Sequence, residues 1–143
     1  MAFKKLNEHY YEKLSNPEAE IRKVAIKIFL KTRSTDPKIH TALAKALSDD
    51  DWSVRRAAAQ ALYKIKPADT EIHKALAKAL GNSNRSIRKA VANVIKEIEP
   101  SDKEVLLEIN NLLQHESLEI RQKAAEVLRW IQPREALDKY LSL

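Results

Sequence analysis

The sequence contains no cysteine, which excludes both a disulfide framework and a thiolate metal site. It has one glycine, Gly81, and five prolines, too few for a chain of β-turns or for a glycine-rich loop that cradles phosphate. No apolar run approaches the roughly 18 residues of a membrane span. The opening MAFKKLNEHYYEKL alternates apolar and charged residues where a secretory signal needs a continuous apolar block. These absences predict a cytoplasmic location and no membrane partner.

What the sequence does contain is charge and strong helix formers. Charged residues make up 32% of the 143 positions, the net charge is +6, and alanine, leucine, lysine and glutamate dominate. The chain is therefore predicted to be almost entirely helical. The positive excess is uneven, because residues 1–66 hold 14 Lys and Arg against 8 Asp and Glu, whereas residues 67–143 hold 12 of each kind. An anionic partner is expected to prefer the first half.

One phrase recurs at a constant interval of 33 residues. Its copies are EIRKVAIKIFLKTRS, SVRRAAAQALYKIKP, SIRKAVANVIKEIEP and EIRQKAAEVLRWIQP. The same arginine column holds Arg22, Arg55, Arg88 and Arg121. We predict a single domain over 1–143, with repeats at about 1–33, 34–66, 67–99 and 100–132 and a C-terminal cap at 133–143.

Each repeat carries two apolar stripes at helical spacing, separated by a turn. In the second repeat the stripes are Ile39, Leu43, Ala46 and Leu47, then Val54, Ala58, Ala61, Leu62 and Ile65. The repeat is thus a helix A, a tight turn and a helix B. Helix starts are predicted at Asn16-Pro17, at Asp36-Pro37 and at Ser101 with Glu104. Such a pair cannot cover its own apolar face, so successive pairs are expected to stack into an α-solenoid.

The A-helix leucines, the turn containing Asp49 and the phrase that begins Val54-Arg55 resemble the HEAT repeat, in particular the short HEAT-like repeats of the phycobilisome lyase type. The resemblance implies an all-α, right-handed α-solenoid of four helix pairs with a C-terminal capping helix. It also implies that the arginine column braces the A-to-B turns of its own and adjoining repeats. Two features depart from the family pattern. Its turn aspartate is replaced by Asn16, Asn82 and His115, and its glycine columns read Leu30, Tyr63, Lys96, Arg129 and Arg33, Lys66, Glu99, Gln132. Without those glycines, helix B is expected to run further.

Helical geometry separates an outward side of helix B from its apolar stripe. At about 100° per residue, Ser53, Arg56, Ala57, Gln60 and Lys64 fall opposite the stripe of the second repeat. In the resembling family this side lines the concave surface, so we predict that it binds a partner. The predicted partner-binding residues are Lys23, Lys27, Lys31, Arg56, Gln60, Lys64, Arg85, Lys89, Asn93, Glu97, Gln122, Lys123, Glu126 and Trp130. Trp130 is either an exposed anchor or covered by the C-terminal segment.

Signals for catalysis are lacking. The four histidines lack the i, i+4 spacing with an acidic partner that metal ligation requires, and neither G-x-S-x-G nor G-x-G-x-x-G occurs. No catalytic, metal or cofactor site is predicted. The leading hypothesis is a noncatalytic protein-interaction scaffold whose concave B-helix face binds a protein or peptide with an acidic segment. Nucleic-acid binding through the basic half is an alternative, and a bilin lyase-like subunit, which rests on the resemblance alone, is a second.

Overall fold

A computed structural model describes the backbone of residues 2–131 and the side chains of residues 5–131. Within this range the chain is all-α, with eight α-helices, one 3₁₀ turn and no strand. The helices are α1 (Ala2–Lys13), α2 (Ala19–Thr32), α3 (Pro37–Ala46), α4 (Trp52–Ile65), α5 (Thr70–Ala79), α6 (Arg85–Ile98), α7 (Lys103–Asn111) and α8 (Leu118–Ile131), with the 3₁₀ turn at Leu112–Gln114. Odd-numbered helices are the A helices and even-numbered helices are the B helices. The predicted cap at 133–143 lies outside the described residues.

The chain divides into two compact units, Met1–Ile72 and His73–Leu143, with the boundary inside α5. In the first unit α2 packs against α1 and α4, and α3 packs against α4. In the second unit α8 packs against both α6 and α7. Each unit therefore places two B helices side by side.

The predicted apolar stripes form the core of the first unit. Ile39 and Leu43 of α3 and Leu47 directly after it are buried, as are Val54 and Leu62 of α4. Fully burying side chains of this size contributes about 1.5–3 kcal/mol each to folding. Every fourth or third residue of each helix thus faces a neighbour, which fixes the rotation of α4 and hence which of its residues reach solvent.

The exposed side of α4 is narrower than expected. Ala57 was predicted to face outward, but it is only 5% exposed. The reason is that α4 packs against both α2 and α3, so its buried arc is wider than a single stripe. The prediction for Ala57 was wrong, whereas Arg56 and Gln60 are exposed as expected.

Helix starts follow the expected chemistry at some turns and not at others. The Asp36 side chain accepts from the Lys38 N–H at 2.9 Å and caps α3, as predicted. The Asn16-Pro17 start was wrong, because α2 begins at Ala19. The predicted Ser101 start is also displaced by one residue, since Asp102 caps α7.

Three B helices end at the position where the family pattern has glycine, although this chain has other residues there. Arg33, Lys66 and Glu99 follow α2, α4 and α6 with φ angles of 47°, 51° and 50°. Helices α2, α4 and α6 therefore do not run further than the family pattern, and the expectation was wrong for these three; the fourth position, Gln132, lies outside the described residues. Three L residues adopt the left-handed conformation, at a cost of about 1 kcal/mol each relative to glycine.

Candidate binding surfaces of the B helices

The arginine column braces each A-to-B turn in the same way. One guanidinium nitrogen, Nη1, donates to the carbonyl oxygens of the residues six and five positions earlier, and the first of these bonds is 2.7 Å long in all four repeats. The arginines are Arg22, Arg55, Arg88 and Arg121. The predicted brace of each arginine within its own turn is confirmed.

The substituted turn aspartate keeps one function throughout. Its side chain accepts a hydrogen bond from the N–H two residues later, with distances of 2.9, 2.9, 2.8 and 3.0 Å. The acceptors are Asn16, Asp49, Asn82 and His115. In His115 the accepting atom is Nδ1, which therefore carries a lone pair. The departures from aspartate thus preserve the turn but remove a carboxylate from three repeats.

That carboxylate has a second partner in the first unit. Arg22 donates from Nε and Nη2 to the two carboxylate oxygens of Asp49, with both distances 2.9 Å. This fork-to-fork pair is the strongest geometry available to arginine. The hydrogen bond to Asp49 raises the pKa of Arg22. The predicted brace to the adjoining repeat is therefore confirmed for Arg22.

The equivalent arginine of the second unit lacks this partner. Arg88 is 5% exposed, and His115 stands in the column of Asp49. Its Nη2 donates instead to Oε2 of Glu119 at 2.8 Å, a single bond to a side chain that is 66% exposed. Among the described residues, no atom accepts a hydrogen bond from Nε of Arg88.

In the first unit the predicted binding residues form a cationic surface. Lys27 and Lys31 of α2 and Arg56, Gln60 and Lys64 of α4 are all exposed, and we call these five residues the unit-1 cationic face. Within the described part of the chain, Lys27, Lys31 and Arg56 form no ion pair.

Lys23 was predicted to belong to the same surface. Its side chain is 21% exposed, and its ammonium lies 2.8 Å from the carboxylate of Glu20. Lys23 is thus partly neutralised by its own helix, and we leave it out of the unit-1 cationic face.

In the second unit, some of the predicted partner-binding residues already form ion pairs with each other. Arg85, Lys89 and Asn93 of α6 and Gln122 of α8 are exposed, whereas Glu97 and Lys123 are half-buried. Glu126 accepts from Lys96 at 2.6 Å and from Lys123 at 2.9 Å. These two hydrogen bonds lower the pKa of Glu126 to about 2.

Trp130 continues this network on α8. Its side chain is 64% exposed, and the Lys96 ammonium lies 5.7 Å from the centre of its ring. This distance is within the range of a cation–π contact. Of the two alternatives for Trp130, the exposed one agrees with the structure, and the segment proposed to cover it lies outside the described residues.

A cleft of about 390 Å³ opens between α6 and α8, and we call it the α6–α8 cleft. Its lining side chains are Arg85, Arg88, Lys89, Glu119, Gln122, Lys123 and Glu126. Four are cations and two are carboxylates. Five of these seven residues were predicted as partner-binding residues from sequence, and the structure brings those five together at one place.

The described helices contain no membrane span and no metal site, and their buried histidine is structural. Over 2–131, no helix is both long and apolar enough to cross a membrane. The same stretch holds no group of three or more His, Asp or Glu side chains placed to bind a metal ion. His40 of α3 is buried and donates from Nε2 to the Ser34 carbonyl at 2.6 Å. It acts as a structural residue.

The arrangement of paired helices with an arginine-braced turn agrees with the sequence comparison. The family profile described as HEAT repeats matches residues 8–72 and 72–139. The chain belongs to the HEAT-repeat family. The match does not specify the phycobilisome lyase type.

A solved structure titled "Crystal Structure of Engineered Protein. Northeast Structural Genomics Consortium Target OR329" is similar to this HEAT-repeat chain, with 22% sequence identity and a TM-score of 0.56. The match covers 94% of this chain and 66% of that chain, and it supports the fold alone. The comparison with curated proteins gives no significant match.

Sequence reasoning missed three contributors to these HEAT surfaces. Lys96 stands in a column where the family pattern has glycine, so its reach to Glu126 and Trp130 was not anticipated. Arg88 was interpreted only as a brace, and Glu119 was not considered. The signal that could have found the last two was present, since His115 replaces the carboxylate that Arg22 uses.

Proposed function

We propose that this HEAT-repeat protein is a noncatalytic scaffold that binds an acidic segment of a partner protein on the unit-1 cationic face. The observation that carries the proposal is the set of unpaired cations on two packed helices, Lys27 and Lys31 on α2 and Arg56 on α4. Surface cations on solubilising helices commonly pair with carboxylates three or four residues away. These three do not.

The spacing of the charges suits an extended peptide. Residues four apart on a helix stand about 6 Å apart, and packed helices lie about 8–10 Å apart. Alternate residues of an extended chain are about 6.6–7 Å apart, so alternating acidic side chains match the separation of Lys27 and Lys31. Gln60 adds a neutral donor and acceptor between Arg56 and Lys64 on α4. An acidic strand is therefore favoured over a single ion.

Nucleic acid uses the same charges differently. A phosphate backbone needs cations but gains much of its single-strand affinity from bases stacked on aromatic rings. On α4, Trp52 is 64% exposed one turn before Arg56, and Tyr63 is 40% exposed with the Lys64 ammonium 6.0 Å from its ring centre. The α2 half of the face, with Lys27 and Lys31, has no exposed aromatic side chain, because Phe29 is buried. We therefore treat nucleic-acid binding as an outcome of the test. No contact among the described residues favours a bilin lyase-like role.

The test is fluorescence anisotropy with a labelled, amidated polyglutamate peptide and a single-stranded DNA oligonucleotide of matched charge. Arg56→Glu and Lys27→Glu should each weaken peptide binding about tenfold, because an exposed attraction of up to about 1 kcal/mol becomes a repulsion of similar size. Lys45→Glu is the matched control, since it makes the same charge change on the exposed side of α3. Its affinity should stay within about twofold of the parent.

Two results would overturn the proposal. The first is an equal loss of affinity in Lys45→Glu, which would indicate a response to net charge alone. The second is tighter binding of the oligonucleotide than of the peptide across about 50–200 mM salt, which would favour the nucleic-acid alternative.

A further inference from the structure

The second unit holds a site of different chemistry. We propose that the α6–α8 cleft binds a carboxylate group, and that the Nε and Nη2 edge of Arg88 receives it. The ligand is an acidic side chain or a terminal carboxylate of another protein. The inference concerns residues outside the unit-1 cationic face and stands independently of the function proposed for that face.

The first unit supplies an internal template for this site. Arg22 and Arg88 occupy the same repeat position. In each, Nη1 donates to two carbonyl oxygens of its own turn, and the bond to the carbonyl six residues earlier is 2.7 Å long. The remaining edge of the Arg22 guanidinium, formed by Nε and Nη2, donates to both carboxylate oxygens of Asp49. Because His115 replaces that carboxylate beside Arg88, the same edge is left half-filled. A carboxylate that enters the α6–α8 cleft can therefore accept from the open Nε and compete with Glu119 for Nη2.

The unfilled donor is held in place and reachable. The Arg88 side chain is 6% exposed, so its rotamer is fixed by packing. Among the described residues, every side-chain nitrogen or oxygen that is fully shielded from solvent has a hydrogen-bond partner. The Nε atom of Arg88 has no hydrogen-bond partner among those residues, so it is not fully shielded from solvent. Arg88 also lines the α6–α8 cleft. A pre-organised donor at a cleft loses little entropy on binding.

The charges around Arg88 favour an anion. Arg85 and Lys89 stand four residues apart on α6, both are exposed, and neither forms an ion pair within the described residues. Glu126 is already neutralised by Lys96 and Lys123. The cleft thus presents cations whose charge its own carboxylates do not balance.

Among the described residues, Glu119 is the carboxylate that competes for the site. It holds Arg88 through a single oxygen at 2.8 Å, and its side chain is 66% exposed. A single hydrogen bond to a mostly solvated carboxylate is a weak hold, because water competes for the same oxygen. An incoming carboxylate that engages both Nε and Nη2 gains a second charge-assisted bond and can displace it.

The experiment observes the donor directly. In the full chain labelled with ¹⁵N-arginine, the Nε–H signals are followed during titration with sodium acetate, with sodium chloride at equal ionic strength as reference. The Arg88 signal, assigned by its loss in Arg88→Lys, should move along a saturable curve with acetate only. The Arg22 signal is the matched control and should not move, because Asp49 already occupies its edge. Movement of both signals alike, or of neither, would overturn the proposal.

Two variants sharpen the test without removing Arg88. Glu119→Gln should bind acetate about two- to fivefold more tightly, because it removes the competing charge. His115→Asp restores the Asp49 chemistry beside Arg88 and should weaken the acetate response about tenfold or more, because an internal carboxylate held against the same edge competes with acetate without any loss of translational freedom. An unchanged acetate affinity in His115→Asp would show that the ion binds elsewhere.

Further arms identify the source and class of the anion. One peptide carries an internal glutamate between blocked ends, and another carries a free C-terminus and no acidic side chain. Preferential binding of either supports the site and names the source, whereas binding of neither contradicts it. Inorganic phosphate that saturates the Arg88 signal at lower concentration than acetate would overturn the carboxylate assignment.

Discussion

The network around Glu126 makes stability depend on pH in a way that can be worked out from its contacts. Glu126 of α8 accepts hydrogen bonds from Lys96 of α6 and from Lys123 of its own helix, at 2.6 and 2.9 Å. These bonds lower its pKa from 4.5 to about 2. Replacing Glu126 with Gln keeps the size of the side chain and removes the charge. The network holds α6 to α8, so its loss should lower the free energy of unfolding.

The magnitude follows from the pKa and the exposure. Under complete burial, a fall in pKa from 4.5 to about 2 is worth about 3.4 kcal/mol. The Glu126 side chain is 44% exposed, so solvent screens both pairs. Exposed ion pairs contribute about 0.2–1 kcal/mol each, and we therefore expect about 1 kcal/mol in total.

The sign is set by the direction of the change. Because the folded-state pKa lies below the unfolded one, the contribution is complete above the unfolded value and is lost as pH falls through the folded value. Less than half of it should remain at pH 3, compared with pH 7.

The assay is urea unfolding of the parent chain and of Glu126→Gln at neutral pH and near pH 3. The difference in unfolding free energy should be about 1 kcal/mol at neutral pH and less than half of that near pH 3. Glu116→Gln, a change in the exposed turn before α8, controls for net charge and should show no comparable difference. A difference for Glu126→Gln that is equal at both pH values, or zero at neutral pH, would refute the assignment of the pKa shift to these two lysines.

Two further predictions concern the core and the helix ends. Leu62→Asp places an unpaired charge at a position with 0% exposure and should abolish the cooperative thermal transition seen by circular dichroism. The control Leu62→Met should lower the free energy of unfolding by less than about 1.5 kcal/mol. A folded Leu62→Asp variant with unchanged melting would mean that the wrong face of α4 was assigned to the core. Glu99→Gly should stabilise by about 0.5–1 kcal/mol in denaturant unfolding because it relieves a φ of 50°, while Lys89→Gly inside α6 should destabilise by a similar amount. Destabilisation by both glycines would contradict the left-handed helix end.

The repeat register was predictable because it depends on burial, which each repeat satisfies in the same way. The constant spacing of the arginine column placed Arg22 and Arg88 in equivalent turns, and the structure bears this out through identical carbonyl contacts. The apolar stripe of α4 was also correct at Val54 and Leu62. A pattern that recurs four times averages out local exceptions, so the all-α fold followed from the sequence alone.

The failures have local causes. Asn16 was assigned as a helix cap from residue type, but its side chain accepts from Glu18 N–H at 2.9 Å within the turn, and the helix begins later. The helix ends were misjudged because the left-handed conformation was assumed to need glycine. Arg33, Lys66 and Glu99 instead adopt it without glycine, at a backbone cost of about 1 kcal/mol each.

The candidate sites were harder to predict because they depend on differences between repeats rather than on what the repeats share. Helical geometry placed Arg56 and Lys89 on exposed faces, but it could not show which cations already had partners. Lys123 and Lys96 are neutralised by Glu126, whereas Lys27 and Arg56 form no ion pair within the described residues. Pairing between helices depends on side-chain reach, which no single-helix projection contains.

A repeat protein can create a binding site by omitting one residue from a repeated contact. The turn needs only a hydrogen-bond acceptor at the aspartate column, and the Nδ1 atom of His115 provides one as well as Asp49 does, with distances of 3.0 and 2.9 Å. The fold is therefore maintained when the carboxylate is lost, but Arg88, which the carboxylate would have neutralised, keeps an open donor at Nε, while its Nη2 donates to Glu119. Since the brace to its own turn still holds Arg88 in place, that open edge is rigid rather than mobile, which is the property a binding site requires. Positions where one repeat lacks a partner that another repeat has are thus the places where this architecture can recognise another molecule.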